Sequence, residues 1–109
     1  MEKGPSTYAE YWTSEYAEVN HFYFHAYDMG YTYITDYSQA AINFALKKGD
    51  NIISFTANEK KFHSTYKYDV ETNEFIIISR DGKIVTYYLP EDGIDYFYSQ
   101  FDKYGDYWN

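Results

Sequence analysis

The sequence predicts an α+β fold: two N-terminal helices packed on a four-stranded antiparallel sheet, with a short C-terminal helix or tail. Two observations carry this. Apolar residues recur at three- and four-residue steps over the first half of the chain and at two-residue steps from about position 51 onward. Helices first and strands afterwards then place the helices together on one sheet face. The 109 residues, 45% of them hydrophobic, suit a single domain spanning 1–109 with one core.

Residues 7–29 have a helical period, with Tyr8, Trp12, Val19, Phe22, Tyr23 and Ala26 on one stripe and Gly30 as a natural stop. A second helix follows, with Asp36 as its N-cap and Tyr37, Ala41 and Phe44 on one face. Lys47 and Lys48 suit the negative end of its dipole, and Gly49 ends it. Strands are expected at Asn51–Thr56, Phe62–Tyr68, Asn73–Ser79 and Lys83–Tyr88. Asp69–Thr72 supplies one turn, and Asp81-Gly82 is a two-residue hairpin signal. Pro90 and Gly93 break the chain before a short helix or extended tail at 94–104.

Composition narrows the chemistry. With no cysteine, disulfides, thiolate nucleophiles and cysteine-ligated zinc are excluded. Sixteen Tyr, eight Phe and two Trp give 24% aromatics. Tyrosine can cover a core edge while its hydroxyl faces water, or it can form a stacking surface for bases or sugars. The net charge of −8 opposes non-specific attraction to nucleic acid. It is unevenly spread, since residues 47–83 hold seven bases against six acids while both flanks are acidic. That leaves a local basic patch and alternating solvated charge as equal readings. No stretch has the length and apolarity of a membrane span, and no signal-peptide pattern opens the chain.

Two constellations can carry chemistry. His21 and His25 stand four residues apart and share a helix face. If Val19 centres the apolar stripe, they lie about 160–200° around the helix, away from the core. Phe24 falls on the same outward side. Phe22 occupies the place where an H-E-x-x-H zinc pair carries glutamate, so no metal is expected. The second constellation is the polar side of the sheet: His63, Thr65 and Lys67 on one strand, with Thr86 two strands later. Imidazoles move protons at neutral pH, and a lysine or a hydroxyl can steady charge on a phosphate. Solvated side chains with no role account for both groups equally well.

The run His21-Phe22-Tyr23-Phe24-His25, followed by Asp28 and Gly30, resembles an H-F-x-K-H-x-x-D-x-G helix. Tyr37, Ala41 and Phe44 resemble the E-Y-x-x-x-A-x-x-F helix that follows it. Thr65-Tyr66-Lys67-Tyr68-Asp69 with Thr72-Asn73-Glu74-Phe75 resembles T-Y-R-Y-D-x-x-T-N-E-F. Asp81-Gly82-Lys83-Ile84-Val85-Thr86-Tyr87-Tyr88-Leu89-Pro90 resembles D-G-x-I-x-T-Y-F-x-P, and Asp92-Gly93-Ile94-Asp95-Tyr96-Phe97 resembles D-G-x-x-Y-W/F. Together, over roughly residues 20–98, these are similar to the C-terminal ribonuclease domains of bacterial polymorphic toxins. Those domains are of the contact-dependent inhibition and LXG types, within the barnase/EndoU/colicin-D/RelE superfamily.

The resemblance implies metal-independent, cofactor-free cleavage of RNA, often tRNA, by attack of the ribose 2′-hydroxyl. It also implies the C-terminal module of a longer secreted protein, used in competition between bacteria and delivered to the target-cell cytoplasm. A cognate immunity protein would block the site, and the module would otherwise be a monomer. Carried over by position, the catalytic set is His21, His25, Lys67 and Thr86, with Tyr88 in the same site. His63, Lys60 and Lys61 are further candidates for holding substrate. Two departures bear on this: Phe24 stands where the family has lysine, and the chain is acidic. The competing expectation is a non-catalytic interaction domain of the same fold, an inactive toxin-like or immunity-type partner. A tyrosine-rich carbohydrate-binding module is a third.

Overall fold

The strand-forming second half of the chain builds a five-stranded sheet, one strand more than expected. A computed structural model describes residues 8–58 and 63–109. The strands are β1 (Ile52–Ala57), β2 (Thr65–Asp69), β3 (Phe75–Ile78), β4 (Ile84–Tyr88) and β5 (Gly105–Trp108). They lie in the order β4-β3-β2-β1-β5, and every pairing is antiparallel. Three helices accompany them: α1 (Glu15–His25), α2 (Ile34–Leu46) and α3 (Ile94–Tyr104). The α+β architecture is as predicted, with two helices ahead of the sheet and a short one behind.

The expected continuous helix over 7–29 is instead α1 flanked by two short 3₁₀ turns, Ala9–Tyr11 and Tyr27–Met29. Between the first turn and α1 the chain runs onto the outer edge of β4. Trp12 bridges to Ile84, and the Thr13 N–H donates to the Ile84 carbonyl at 3.0 Å. Ser14 then caps α1, its hydroxyl accepting from the Ala17 N–H at 3.0 Å. This start sets the phase of α1. Glu18, fully buried, accepts from the Ser38 hydroxyl at 2.5 Å, whereas Val19 and Tyr23 are exposed. Val19 is therefore not the centre of the packed stripe. The second helix begins two residues ahead of its expected cap, leaving Asp36 in the first turn, where the dipole favours a carboxylate.

Each sheet face has its own core. On one, Trp12, Ala26, Tyr37, Ala41, Phe44, Ile76, Ile84 and Tyr87 pack beneath α1 and α2. On the other, Phe55, Ala57, Tyr66, Tyr68, Phe75 and Phe97 pack against α3. The C-terminal helix thus covers the face opposite to α1 and α2, and the sheet is the middle of three layers. β5, the unexpected strand, closes this second core: the Trp108 ring stacks on Phe101 at 4.2 Å and meets Phe55 edge-on at 5.6 Å.

The turns fix the register. Asp69, fully buried, accepts from the N–H groups of Glu71 and Thr72 at 2.8 and 3.1 Å and pairs with Lys47 at 2.7 Å. Burial opposes its ionisation, but the Lys47 bond and the two N–H groups hold its carboxyl below the usual range. The β3–β4 hairpin has a three-residue loop rather than the two-residue turn expected. Gly82 sits at φ 87, the left-handed residue that such a loop requires, and its N–H donates to the Ser79 carbonyl at 2.9 Å.

Candidate active site

α1 meets the edge strand β4 with its histidine side turned toward the strand. Four rings stack in series there. Trp12 lies 6.1 Å from His21, His21 lies 5.5 Å from His25, and His25 lies 4.6 Å from Tyr88, with interplanar angles of 18°, 17° and 25°. The Thr86 hydroxyl is 3.0 Å from His21 Nδ1. The Tyr88 and Tyr96 hydroxyls share a hydrogen bond, which ties β4 to α3 at the end of the stack. The histidines therefore do not face away from the protein: each is half-buried against β4. Phe24 does face away, 63% exposed.

Burial sets the electrostatics. Both imidazoles titrate below 6.5, His21 through burial and then through repulsion from His25. For His25 burial again dominates, partly offset by the Asp28 carboxylate. The Asp28 carboxylate thus favours a proton on His25, and a charged His25 disfavours one on His21. The Tyr88 phenol is pushed far up, first by burial and then by its bond to Tyr96, so it remains a donor at any physiological pH. The Thr86 contact leaves His21 Nε2 as the free ring nitrogen. If Nδ1–H donates to Thr86, Nε2 is the basic atom.

The predicted set is brought together only in part. His21, His25, Thr86 and Tyr88 converge. Lys67 does not join them. Its register partner on β3 is Ile76, whose partner on β4 is Tyr87, so Lys67 shares the face of α1 and α2. Thr86 pairs through Ile77 with Tyr66, on the opposite face. Lys67 Nζ instead donates to the Ala45 carbonyl at 3.0 Å and lies 5.4 Å from the Phe44 ring centre. His63 is exposed at the entry to β2, and among the described residues nothing bonds it to the histidine pair. Lys60 and Lys61 lie outside the described residues.

Next to Thr86, on the α3 face, is a concavity of about 510 Å³ lined by Thr13, Ser64, Tyr66, Ile77, Ser79, Val85 and Tyr104. Ile77 is the register partner of Thr86, so this apolar hollow adjoins the histidine stack. Sequence reading missed the hollow and Trp12 as a site residue. The sequence places Trp12 on a core stripe; its bridge to β4 sets its ring behind His21 as well. Tyr96 carried a signal, being part of the Asp92-Gly93-Ile94-Asp95-Tyr96-Phe97 block. No protein-family model matches the chain, and no curated protein does. Among the described residues no helix is long and apolar enough to cross a membrane.

Proposed function

We propose that the domain is a metal-independent endoribonuclease of the polymorphic-toxin type, with His21, His25, Thr86 and Tyr88 as its working groups. The observation that carries this reading is the contact of His21 Nδ1 with Thr86 at 3.0 Å beside a second imidazole 5.5 Å away. An acid and a base within one phosphodiester's reach are what 2′-hydroxyl transphosphorylation needs. His21, kept neutral by burial and by its neighbour, accepts the 2′-hydroxyl proton at Nε2. The 2′-oxygen attacks phosphorus, and the P–O5′ bond breaks. His25, whose proton Asp28 favours, protonates the leaving 5′-oxygen. The products are a 2′,3′-cyclic phosphate and a 5′-hydroxyl. Thr86 orients His21, and the Tyr88 hydroxyl supplies a neutral donor at the end of the stack. The adjoining hollow, with the rings of Tyr66 and Tyr104, would hold a flanking base.

The test is cleavage of total RNA and tRNA with chelator present. His21→Ala and His25→Ala should each lower the rate by about 10²–10⁴-fold, while Lys67→Met should cleave like the parent. Equal cleavage by the parent and both histidine variants would sink the assignment. A second reading, a non-catalytic interaction domain, draws on one specific feature. Tyr16, Tyr23, Phe24 and Tyr27 are 77, 78, 63 and 87% exposed along the outer side of α1 and the turn after it. Such aromatics suit a protein partner. In the nuclease reading that partner is the immunity protein, and it would bind beside the histidine stack.

A further inference from the structure

On the face that α1 and α2 cover, where α2 ends over β1 and β2, there is a hollow of about 360 Å³. Its polar lining is made of Lys47, Lys48, Lys67, Ser54 and Thr65. Three of the chain's nine basic residues therefore converge on one place in a protein of net charge −8. Lys47 is matched by Asp69 at 2.7 Å. Lys48 and Lys67 have no carboxylate bonded to them among the described residues. Lys67 is only 8% exposed, an unusual depth for an ammonium, and it feels repulsion from both neighbours.

Capping of α2 explains one lysine here, since Lys67 covers the Ala45 carbonyl at the negative end of the helix dipole. It does not explain two unmatched charges side by side. An ammonium has three protons, and Ala45 takes one of those on Lys67. The Ser54 hydroxyl accepts from the Asn109 amide at 3.1 Å, which leaves its own proton to give. The lining is thus rich in donors and has two positive charges in excess.

We propose that this hollow binds a dianionic phosphate group, the terminal group of a phosphomonoester or the free anion, held by Lys48 and Lys67 with the Ser54 and Thr65 hydroxyls. Two unmatched ammonium groups fit the two charges of a terminal phosphate better than the single charge of a backbone diester. The site stands over β1 and β2, away from the edge strand β4 that meets the histidine stack, and is independent of whether that stack cleaves RNA.

Thermal unfolding of the whole domain is the test, with inorganic phosphate added against chloride at matched ionic strength. Phosphate well above its Kd should raise the Tm of the parent by roughly 5–10 °C. The rise should vanish in Lys67→Met and in Lys48→Gln; the latter alters an exposed side chain, so the comparison survives if Lys67→Met folds poorly. A 5′-phosphorylated DNA oligonucleotide, which has no 2′-hydroxyl to cleave, should act like phosphate if the ligand is a nucleic-acid end, and its 5′-hydroxyl twin should not. If only inorganic phosphate acts, the ligand is the free anion and the site still stands. No rise in the parent, or an equal rise in the parent and both variants, overturns the proposal.

Discussion

At the scale of single residues, Thr86 is the member of the site whose role a substitution isolates best. Its hydroxyl is buried and holds His21 Nδ1, so Thr86→Val changes little in volume and removes the one polar partner. Stability should fall by about 1 kcal/mol, the net worth of one hydrogen bond with a half-buried partner left behind. RNA cleavage should fall far more than that, because a freed imidazole no longer presents Nε2. Urea unfolding and initial cleavage rates, measured together, separate the two effects; equal small losses in both would mean that Thr86 only packs. The same ring pair governs a pH dependence. Both imidazoles titrate below 6.5 when folded, chiefly through burial. In the unfolded chain they protonate near their ordinary value. The unfolded state therefore binds more protons as pH falls below about 6.5, and stability drops until the folded values are passed. Above that range both states are neutral and the pair contributes no slope. His25→Gln should flatten the decline, and an unchanged slope in that variant would contradict the burial seen here.

At the scale of elements, the C-terminal strand makes the sharpest stability prediction. Gly105 has ordinary backbone angles, yet a Cβ built there would lie 2.2 Å from Phe101 Cδ1. Phe101 cannot turn aside easily, being stacked on Trp108 and set edge-on to Phe55 at 5.2 Å. Gly105→Ala should therefore cost about 1–3 kcal/mol, as overpacking in a filled core does. A cost under about 0.5 kcal/mol, the usual size for a neutral surface change, would show a loose aromatic cluster. β5 also shows what the sequence hides. Gly-Asp-Tyr-Trp is short and has no alternation, and it becomes a strand because β1 offers a free edge and the second core needs a lid. β2 was legible in its two-residue alternation, β3 in its β-branched run and β4 in the Asp81-Gly82 turn before it, and the order of helices and strands gave the layers of the first core. The phase of α1 was not legible. Glu18 occupies the centre of its packed side, and a carboxylate reads as outward unless its partner Ser38, on another helix, is known. That one misplacement turned His21 and His25 toward solvent in the sequence reading.

At the scale of the molecule, the sheet separates two chemistries that the sequence had merged. Alternation shows that Thr65 and Lys67 share a side of β2, but it does not show which side of β4 lies level with them. That depends on loop lengths and on the irregularity between Ile77 and Ile78. The outcome is a histidine stack at the β4 edge, with no lysine or arginine bonded to it among the described residues, and a lysine hollow over β1 and β2. The nuclease reading then carries a consequence for salt. A ribonuclease that draws RNA in with a basic surface loses kcat/KM as salt rises, because counterion release weakens. Here the net charge is −8, and no cation supports the stack among the described residues. Long-range repulsion should therefore slow encounter at low salt, where the Debye length is about 30 Å at 0.01 M, and ease as it shortens to about 10 Å at 0.1 M. We expect kcat/KM toward a short RNA to stay level or rise over that range, and only kcat to report the chemistry of the histidines. A steep fall with salt would mean that a basic strip steers the substrate. Lys60 and Lys61 would be its first candidates, and substituting both with Gln would remove the slope if they form it.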